Sequence, residues 1–263
     1  MPPRLRRYST RIPQPKAVRE ADALAGVRRK DAENAGVFLN GKKVDGAVIR
    51  HADIMKGGTL AFVGGNAKYN YVVDSSAAPE LDQWMRTKMV PAARKWYPKL
   101  VEMFPSEGWE ASKTITFNFN AEEDSPPAYT VGNVVTFGRK WIVGNPEDVG
   151  CGIHEIFHVV QDDYPDEKTF WLQEGIADYA RWYLYEPESH GCDMDLTSDE
   201  VHYDSAYRES ANFLDFVERK YPGTVRELNA LCRQGKYDEK TYWKKRTGKI
   251  VRELEAEWKN QSK

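Results

Sequence analysis

The strongest chemical signal in this 263-residue chain is His154-Glu155-Ile156-Phe157-His158. On a helix, positions i and i+4 lie one turn apart on the same face, so both imidazoles can reach a single metal ion. Glu155 projects to the neighbouring side, where it can take a proton from a water that the ion activates. Zinc suits two imidazoles, a carboxylate and a water. With 5 His in the whole chain, an accidental pair at this spacing is rare. Sixteen residues beyond His158 comes Glu174, inside Trp171-Leu172-Gln173-Glu174-Gly175-Ile176-Ala177-Asp178-Tyr179. Between Leu172 and Ile176 a solvated carboxylate is out of place. As a third ligand from the next helix it completes a catalytic two-His, one-Glu set. Asp178, His190 and His202 stay open as other third ligands. Asp178 has a better use: it is i+4 from Glu174, on the same face, and can accept a hydrogen bond from a metal-bound imidazole and fix its tautomer. His190 and His202 fall in an acidic, loop-like stretch and read as exposed, and His51 as structural.

These side chains need two helices to carry them, and the pattern supplies both. Asn145-Pro146-Glu147-Asp148 is a helix-start signal, and the helix should run to Gln161. A second helix is expected at 168–185, with others at 203–220, 223–234 and 247–261. Upstream, YNYVVD (69–74) and KTITFNFN (113–120) read as strands, the latter by period-2 alternation. NVVTFGRKWIV (133–143) reads as another, with a turn at Gly138 available to it. Between them Ala78 to Phe104 has helical spacing, with Pro91 expected to kink it. Residues 36–65 carry short apolar runs cut by Asn40-Gly41, Asp45-Gly46 and Gly57-Gly58, which are hairpin signals. The order is strands mixed with a helix, then an all-helical half: an α+β arrangement, with the metal site expected in the cleft between the halves.

Composition bounds the function. Lys+Arg 38 against Asp+Glu 40 gives a formal net charge of -2, which offers no whole-chain argument for nucleic acid or an acidic membrane surface. No apolar run approaches the roughly 18 to 20 residues that span a bilayer. Cys151, Cys192 and Cys232 are spaced by 41 and 40 residues, match no zinc-ligand pattern, and read as buried or free thiols. Residues 1–35 are rich in basic side chains without a clean period and read as a poorly ordered leader. No apolar stretch follows the basic start, so it does not read as a secretory signal. The expected organisation is that leader, a small β segment at 36–66, and the catalytic domain at 67–263.

HEIFHVVQ followed by WLQEGIADYARW resembles the gluzincin metallopeptidases, whose third ligand is the Glu of a similar EG motif. More closely the chain resembles the basic secretory protein family of plants and bacteria, read as zinc peptidases. The likeness runs over about residues 60–262: GGTLAF, VDSSAAPEL, the HExxHxxQ helix, EGIADY, YDSAYRESANFLDFVERKYPGTVRELN and the RTGK…LEAEW tail. It implies a zincin-like fold, one zinc per chain held by His154, His158 and Glu174, and Glu155 as general base. It also implies secretion, although this chain is not basic and shows no signal peptide. Tyr207 falls where related sequences place a tyrosine ahead of an apolar helix, and its phenol could donate to the oxyanion. Tyr203, one helical turn earlier, would share that face. Separately, IRHADIMKGGTLAFVGG resembles the closing strands of a β-sandwich domain in exo-α-mannosidases, without any catalytic residue of that family.

The reading is therefore a zinc peptidase acting on a protein or peptide, with a glycosylated target left open. Zinc polarises the carbonyl, and Glu155 shuttles a proton from water to the leaving amine. The strand near 133–138 could take up substrate backbone as an added strand. The alternative is a non-catalytic glycan- or matrix-binding module, with Trp and Tyr as stacking platforms.

Overall fold

The computed structural model describes strands at residues 7–12, 36–39, 42–43 and 58–63, and then residues 68–262. The chain divides into two compact units, Met1–Lys68 and Tyr69–Lys263.

In the first unit the described residues form one sheet of β1 (Arg7–Ile12), β2 (Gly36–Leu39), β3 (Lys42–Lys43) and β4 (Gly58–Val63), in the order β1-β4-β2-β3 with every pairing antiparallel. Leu39 pairs with Lys42, so β2 and β3 are joined across the Asn40-Gly41 signal. That turn, the signals at 45–46 and 57, and His51 lie outside the described residues. So does the leader at 1–35, apart from β1. The mannosidase-like stretch is described only in β4.

In the second unit β5 (Asn70–Val73), β6 (Thr114–Asn120), β7 (Ala128–Val131) and β8 (Val134–Gly138) form a mixed sheet in the order β5-β6-β8-β7. β5, β6 and β8 run parallel, and β7 is antiparallel to β8. A parallel neighbour needs a crossover. From β5 to β6 that is one continuous helical stretch: a 3₁₀ turn Pro79–Leu81, α1 (Asp82–Trp84), a π segment Met85–Met89, and α2 (Val90–Met103). The irregular winding lies just ahead of Pro91, in the first turn of α2, as expected of a proline that cannot supply an N–H to an unbroken helix. From β6 to β8 the connection is the hairpin strand β7 itself. The hairpin turns on two residues, with Gly132 at φ 58° in the first central position, where such turns take glycine.

The expected strand at 133–143 ends at Gly138. α3 (Arg139–Gly144) follows directly, buries Ile142 and leaves Trp141 and Val143 exposed. Nor is the strand at 133–138 an edge: β8 is paired on both sides, and the edge beside it is β7, a four-residue strand too short to stand out in the sequence, with β5 at the opposite edge.

The rest is helical: α4 (Gly150–Gln161), α5 (Phe170–Tyr179), α6 (Tyr207–Lys220), α7 (Thr224–Arg233), α8 (Glu239–Thr247) and α9 (Val251–Lys259). A six-residue π segment, Ala180–Tyr185, extends α5. α8 was not anticipated, because its buried side chains are only the adjacent Tyr242 and Trp243, which make no helical stripe. The assembly is α+β. α4 buries eleven of its twelve residues against the sheet and the flanking helices, with Phe157 edge-on to Phe104 at 4.8 Å. Behind α5, Phe213 of α6 gathers Trp171, Trp243 and Trp258 within 6.5 Å between ring centres.

α5 and α6 approach closely because Gly175 has no side chain: a Cβ there would stand 2.6 Å from Ser210 Cβ. Gly175→Ala gains about 1 kcal/mol of helix propensity but overpacks that contact at a cost of about 1–3 kcal/mol. The expected outcome is a net loss of about 1 kcal/mol, read from urea unfolding of the whole chain. A variant more stable than the parent would show that the two helices can separate freely.

Candidate metal centre

α4 reaches the site rigidly held at both ends. At its N-terminus Asp148 Oδ1 accepts from Cys151 N–H at 3.0 Å, and Oδ2 accepts from Trp141 Nε1–H at 2.9 Å. Arg181, from the π segment after α5, donates to Asp148 at 2.7 Å and to Glu186 at 2.7 Å. Gly150 makes room for this pair, since a Cβ there would fall 2.1 Å from Glu186 Oε1. At the C-terminus the guanidinium of Arg233 donates to the carbonyls of Val160 and Gln161, and lies 3.8 Å over the Trp109 ring. A carboxylate at the N-terminal end and a cation at the C-terminal end both complement the helix dipole.

Beyond Gln161 the chain turns on Asp162 and Asp163, both left-handed, at φ 56° and 51°. Aspartate tolerates that conformation better than most side chains. A 3₁₀ turn, Glu167–Thr169, leads into α5, which packs against α4.

The two helices bring three acceptor atoms together. His154 Nε2 is 3.0 Å from His158 Nε2 and 3.2 Å from Glu174 Oε2, and His158 Nε2 is 3.6 Å from the same carboxylate oxygen. His154 and Glu174 are buried, and His158 is nearly so. Among the described residues, His154, His158 and Glu174 are the group that could hold a metal ion. The other side of each imidazole is engaged too: His154 Nδ1 meets Asp178 Oδ1 at 2.7 Å, and His158 Nδ1 meets Gln161 Oε1 at 2.6 Å.

The electrostatics favour positive charge at the centre. Burial works against protonation of His154, but its hydrogen bonds to Asp178 and Glu174, and the charges of Asp178 and Glu155, outweigh it and push its pKa well up. Burial likewise opposes ionisation of Glu174, yet the hydrogen bonds from His154 and His158 hold its carboxyl well below the usual range.

Glu155, also buried, lies next to the triad in sequence, and its Oε2 is 2.8 Å from the hydroxyl of Thr130 on the free-edge strand β7. The Tyr207 ring lies nearly parallel to His154 at 6.3 Å and edge-on to Phe170 at 6.3 Å, with Tyr207 and Phe170 both about half exposed. Burial and the nearby Glu174, Asp178 and Glu155 raise the phenol's pKa. Ala206, just before it, has φ 67° and ψ -177°, a backbone region that is essentially glycine's, and costs of order 1–3 kcal/mol.

The pairing of Tyr203 with Tyr207 on one helical face does not hold. α6 begins at Tyr207, and Tyr203 sits in the turn before it, buried on Trp171 with its hydroxyl near Glu239. The Ser-Ala step breaks the spacing on which that expectation rested. His190 and His202 stand apart, largely exposed, beside Asp193 and Glu255. The three cysteines are buried and unpaired.

Sequence reasoning missed Gln161, Thr130 and the clamps Arg181 and Arg233. Gln161 had a signal, as a polar residue in an apolar helix three positions from His158. Thr130 had none, because its strand was not legible.

In this helix-rich α+β unit, two imidazoles and a carboxylate converging from successive helices form a group that could hold a metal ion. The relationship is narrower than that: residues 111–258, more than half of the chain, match the family model described as BSP, peptidase of plants and bacteria, and the chain belongs to that family. No curated protein and no solved structure matches the chain.

The Arg181–Asp148 pair has side chains only 16% and 14% exposed, so removing the cation strands a charge. Arg181→Met should cost about 3 kcal/mol in urea unfolding. A change below about 0.5 kcal/mol would mean that the N-terminus of α4 is held by its packing alone.

Proposed function

We propose that the chain is a zinc-dependent peptidase, binding one zinc with His154, His158 and Glu174 and using Glu155 as general base. The observation that carries this reading is the triangle of acceptor atoms, with edges of 3.0, 3.2 and 3.6 Å. Ligands about 2.05 Å from a tetrahedral zinc stand about 3.3 Å apart, which is the mean of those edges. Two nitrogens and one carboxylate oxygen also suit zinc better than calcium or magnesium, which take oxygen. A fourth position is left for water or substrate, as a catalytic site requires.

Zinc bound there would supply a water with its pKa lowered towards ~7 and a Lewis acid for the peptide carbonyl. The protein's own residues do the rest. Glu155 takes the proton of the attacking water and hands it to the leaving amine. Thr130 keeps that carboxylate oriented through its hydroxyl. Asp178 holds the His154 ring by its Nδ1–H. Tyr207 is the side-chain donor for the oxyanion, and the strained Ala206 beside it supports that role, since such backbone persists mainly where function needs it.

β7 offers a free edge for an extended peptide backbone, which favours a protein substrate and replaces the role first given to residues 133–138. Glycosylated targets stay within this reading but have no separate support. Secretion follows the family's name, and no helix among the described residues is long and apolar enough to cross a membrane. A non-catalytic glycan-binding module would have no use for a buried Glu155 tied to an edge strand.

Two measurements test the reading on casein or an unstructured peptide. Glu155→Gln should retain one equivalent of zinc by elemental analysis and lose hydrolysis, because the amide keeps the shape but cannot take the proton. Cleavage within about tenfold of the parent would remove Glu155 as base. Tyr207→Phe should lower kcat by about 10² to 10³ with zinc content and Tm nearly unchanged. An unchanged kcat would leave Tyr207 as a rim aromatic.

A further inference from the structure

Gln161 is fully buried and belongs to neither the acceptor triangle nor the proton path. Its amide nitrogen is 2.8 Å from the backbone carbonyl of Gln173, the residue before Glu174, and 3.3 Å from the Tyr164 hydroxyl. The Gln173 carbonyl can only accept, so the Gln161 atom facing it must be the NH₂. The amide oxygen is therefore the atom facing His158 Nδ1 at 2.6 Å, and an acceptor at that distance requires Nδ1 to carry a proton. A neutral His158 then has its lone pair on Nε2, the atom that faces His154 and Glu174.

The network behind Gln161 points the same way. The Tyr164 hydroxyl donates to Asn229 Oδ1 at 2.8 Å, so its oxygen is free to accept from Gln161. Turning the Asn229 amide round would put its NH₂ against the Tyr164 oxygen and leave the phenol's O–H without that acceptor. Asn229 is fully buried and its Nδ2 has no hydrogen-bond partner among the described residues, which costs stability. The fold tolerates that orphan while keeping the carbonyl end on Tyr164. Thus the Gln173 carbonyl, an acceptor that cannot reverse, sets the orientation of Gln161 towards His158, and the Tyr164–Asn229 bond is consistent with it.

We infer that Gln161 is a positioning residue, aimed by the Gln173 carbonyl and by Tyr164–Asn229, that fixes the tautomer of His158 so that its Nε2 lone pair is presented to the metal. This rests on the reading of His154, His158 and Glu174 as the zinc site. It makes α5 responsible for both imidazoles of α4: His154 through the Asp178 side chain, and His158 through a backbone carbonyl next to the third ligand.

The test compares two substitutions in the full-length protein by zinc titration against a competing chelator. Gln161→Met and Gln161→Glu both remove the donor to the Gln173 carbonyl, but only Met removes the acceptor facing His158. Gln161→Met should weaken zinc binding by about 10- to 100-fold, while Gln161→Glu stays within about threefold of the parent. Parent-like affinity in Met would overturn the inference. Equal weakening of Met and Glu would also overturn it, because a residue that merely ties the helices together moves both alike.

His158→Ala belongs in the same titration. If it binds zinc as the parent does, the metal-site reading has failed, whereas its loss alongside a parent-like Gln161→Met condemns only the positioning role. Nitrogen NMR of the unmutated, ¹⁵N-labelled protein needs no variant to fold. His158 should show a protonated Nδ1, and a protonated Nε2 with a bare Nδ1 would refute the assignment.

Discussion

Three electron-rich atoms from three side chains stand within 3.6 Å of one another, nearly out of reach of water. Such a cluster would push itself apart unless a proton or a cation lay between its lone pairs. It persists because the atoms sit on rigid helices and because their surroundings favour a positive charge between them. The burial of His154 and Glu174 costs ionisation free energy; hydrogen bonds to Asp178 and Glu174 overcome it and raise the His154 pKa, and hydrogen bonds from His154 and His158 overcome it and lower that of Glu174. This is the condition in which a dication can be bound by a few ligands without competing solvent.

The rest of the unit reads as a holder for that cluster. α4 carries two of the atoms, and its ends are gripped from different parts of the chain: Asp148 with Arg181 at the start, Arg233 of α7 at the finish. Its middle is packed against the sheet and α2. α5 carries the third atom and is set close to α6 through Gly175, with the aromatic cluster around Phe213 behind it. Neither helix is long, and in isolation helices of ten or twelve residues are marginal. Their geometry is therefore a property of the packed unit, and any sliding of α5 along α4 would disturb Glu174, Asp178 and the Gln173 carbonyl together.

Polar groups that are costly elsewhere are concentrated here. Ala206 adopts a glycine-like backbone beside Tyr207, Asn229 has an amide nitrogen without a partner among the described residues, and Asp178 and Gln161 are buried. The strained backbone beside Tyr207 and the buried polar side chains behind the imidazoles mark where stability has been traded for placement. The acceptor triangle lies within residues 111–258, the stretch that matches the peptidase family.

The sequence alone determined that two imidazoles share a helix face, because a 3.6-residue period makes i and i+4 neighbours whatever surrounds them. For the same reason Glu174 and Asp178 could be read as a pair, and the long alternating strand 114–120 and the α+β order were legible from local periodicity. What the tertiary structure decided is everything that depends on contact between distant segments. Periodicity could not reveal that the hydroxyl of Thr130 reaches Glu155 from a four-residue edge strand, or that β8 is interior and β7 is not. Nor could it place Tyr203 off the helix, where a glycine-like turn at Ala206 resets the phase, or name Arg233 and Asn229 as supports for a helix some seventy residues earlier. Helix phase is fixed by covalent geometry and travels with the sequence, whereas edge status, caps and hydrogen-bond direction exist only once the partners have met.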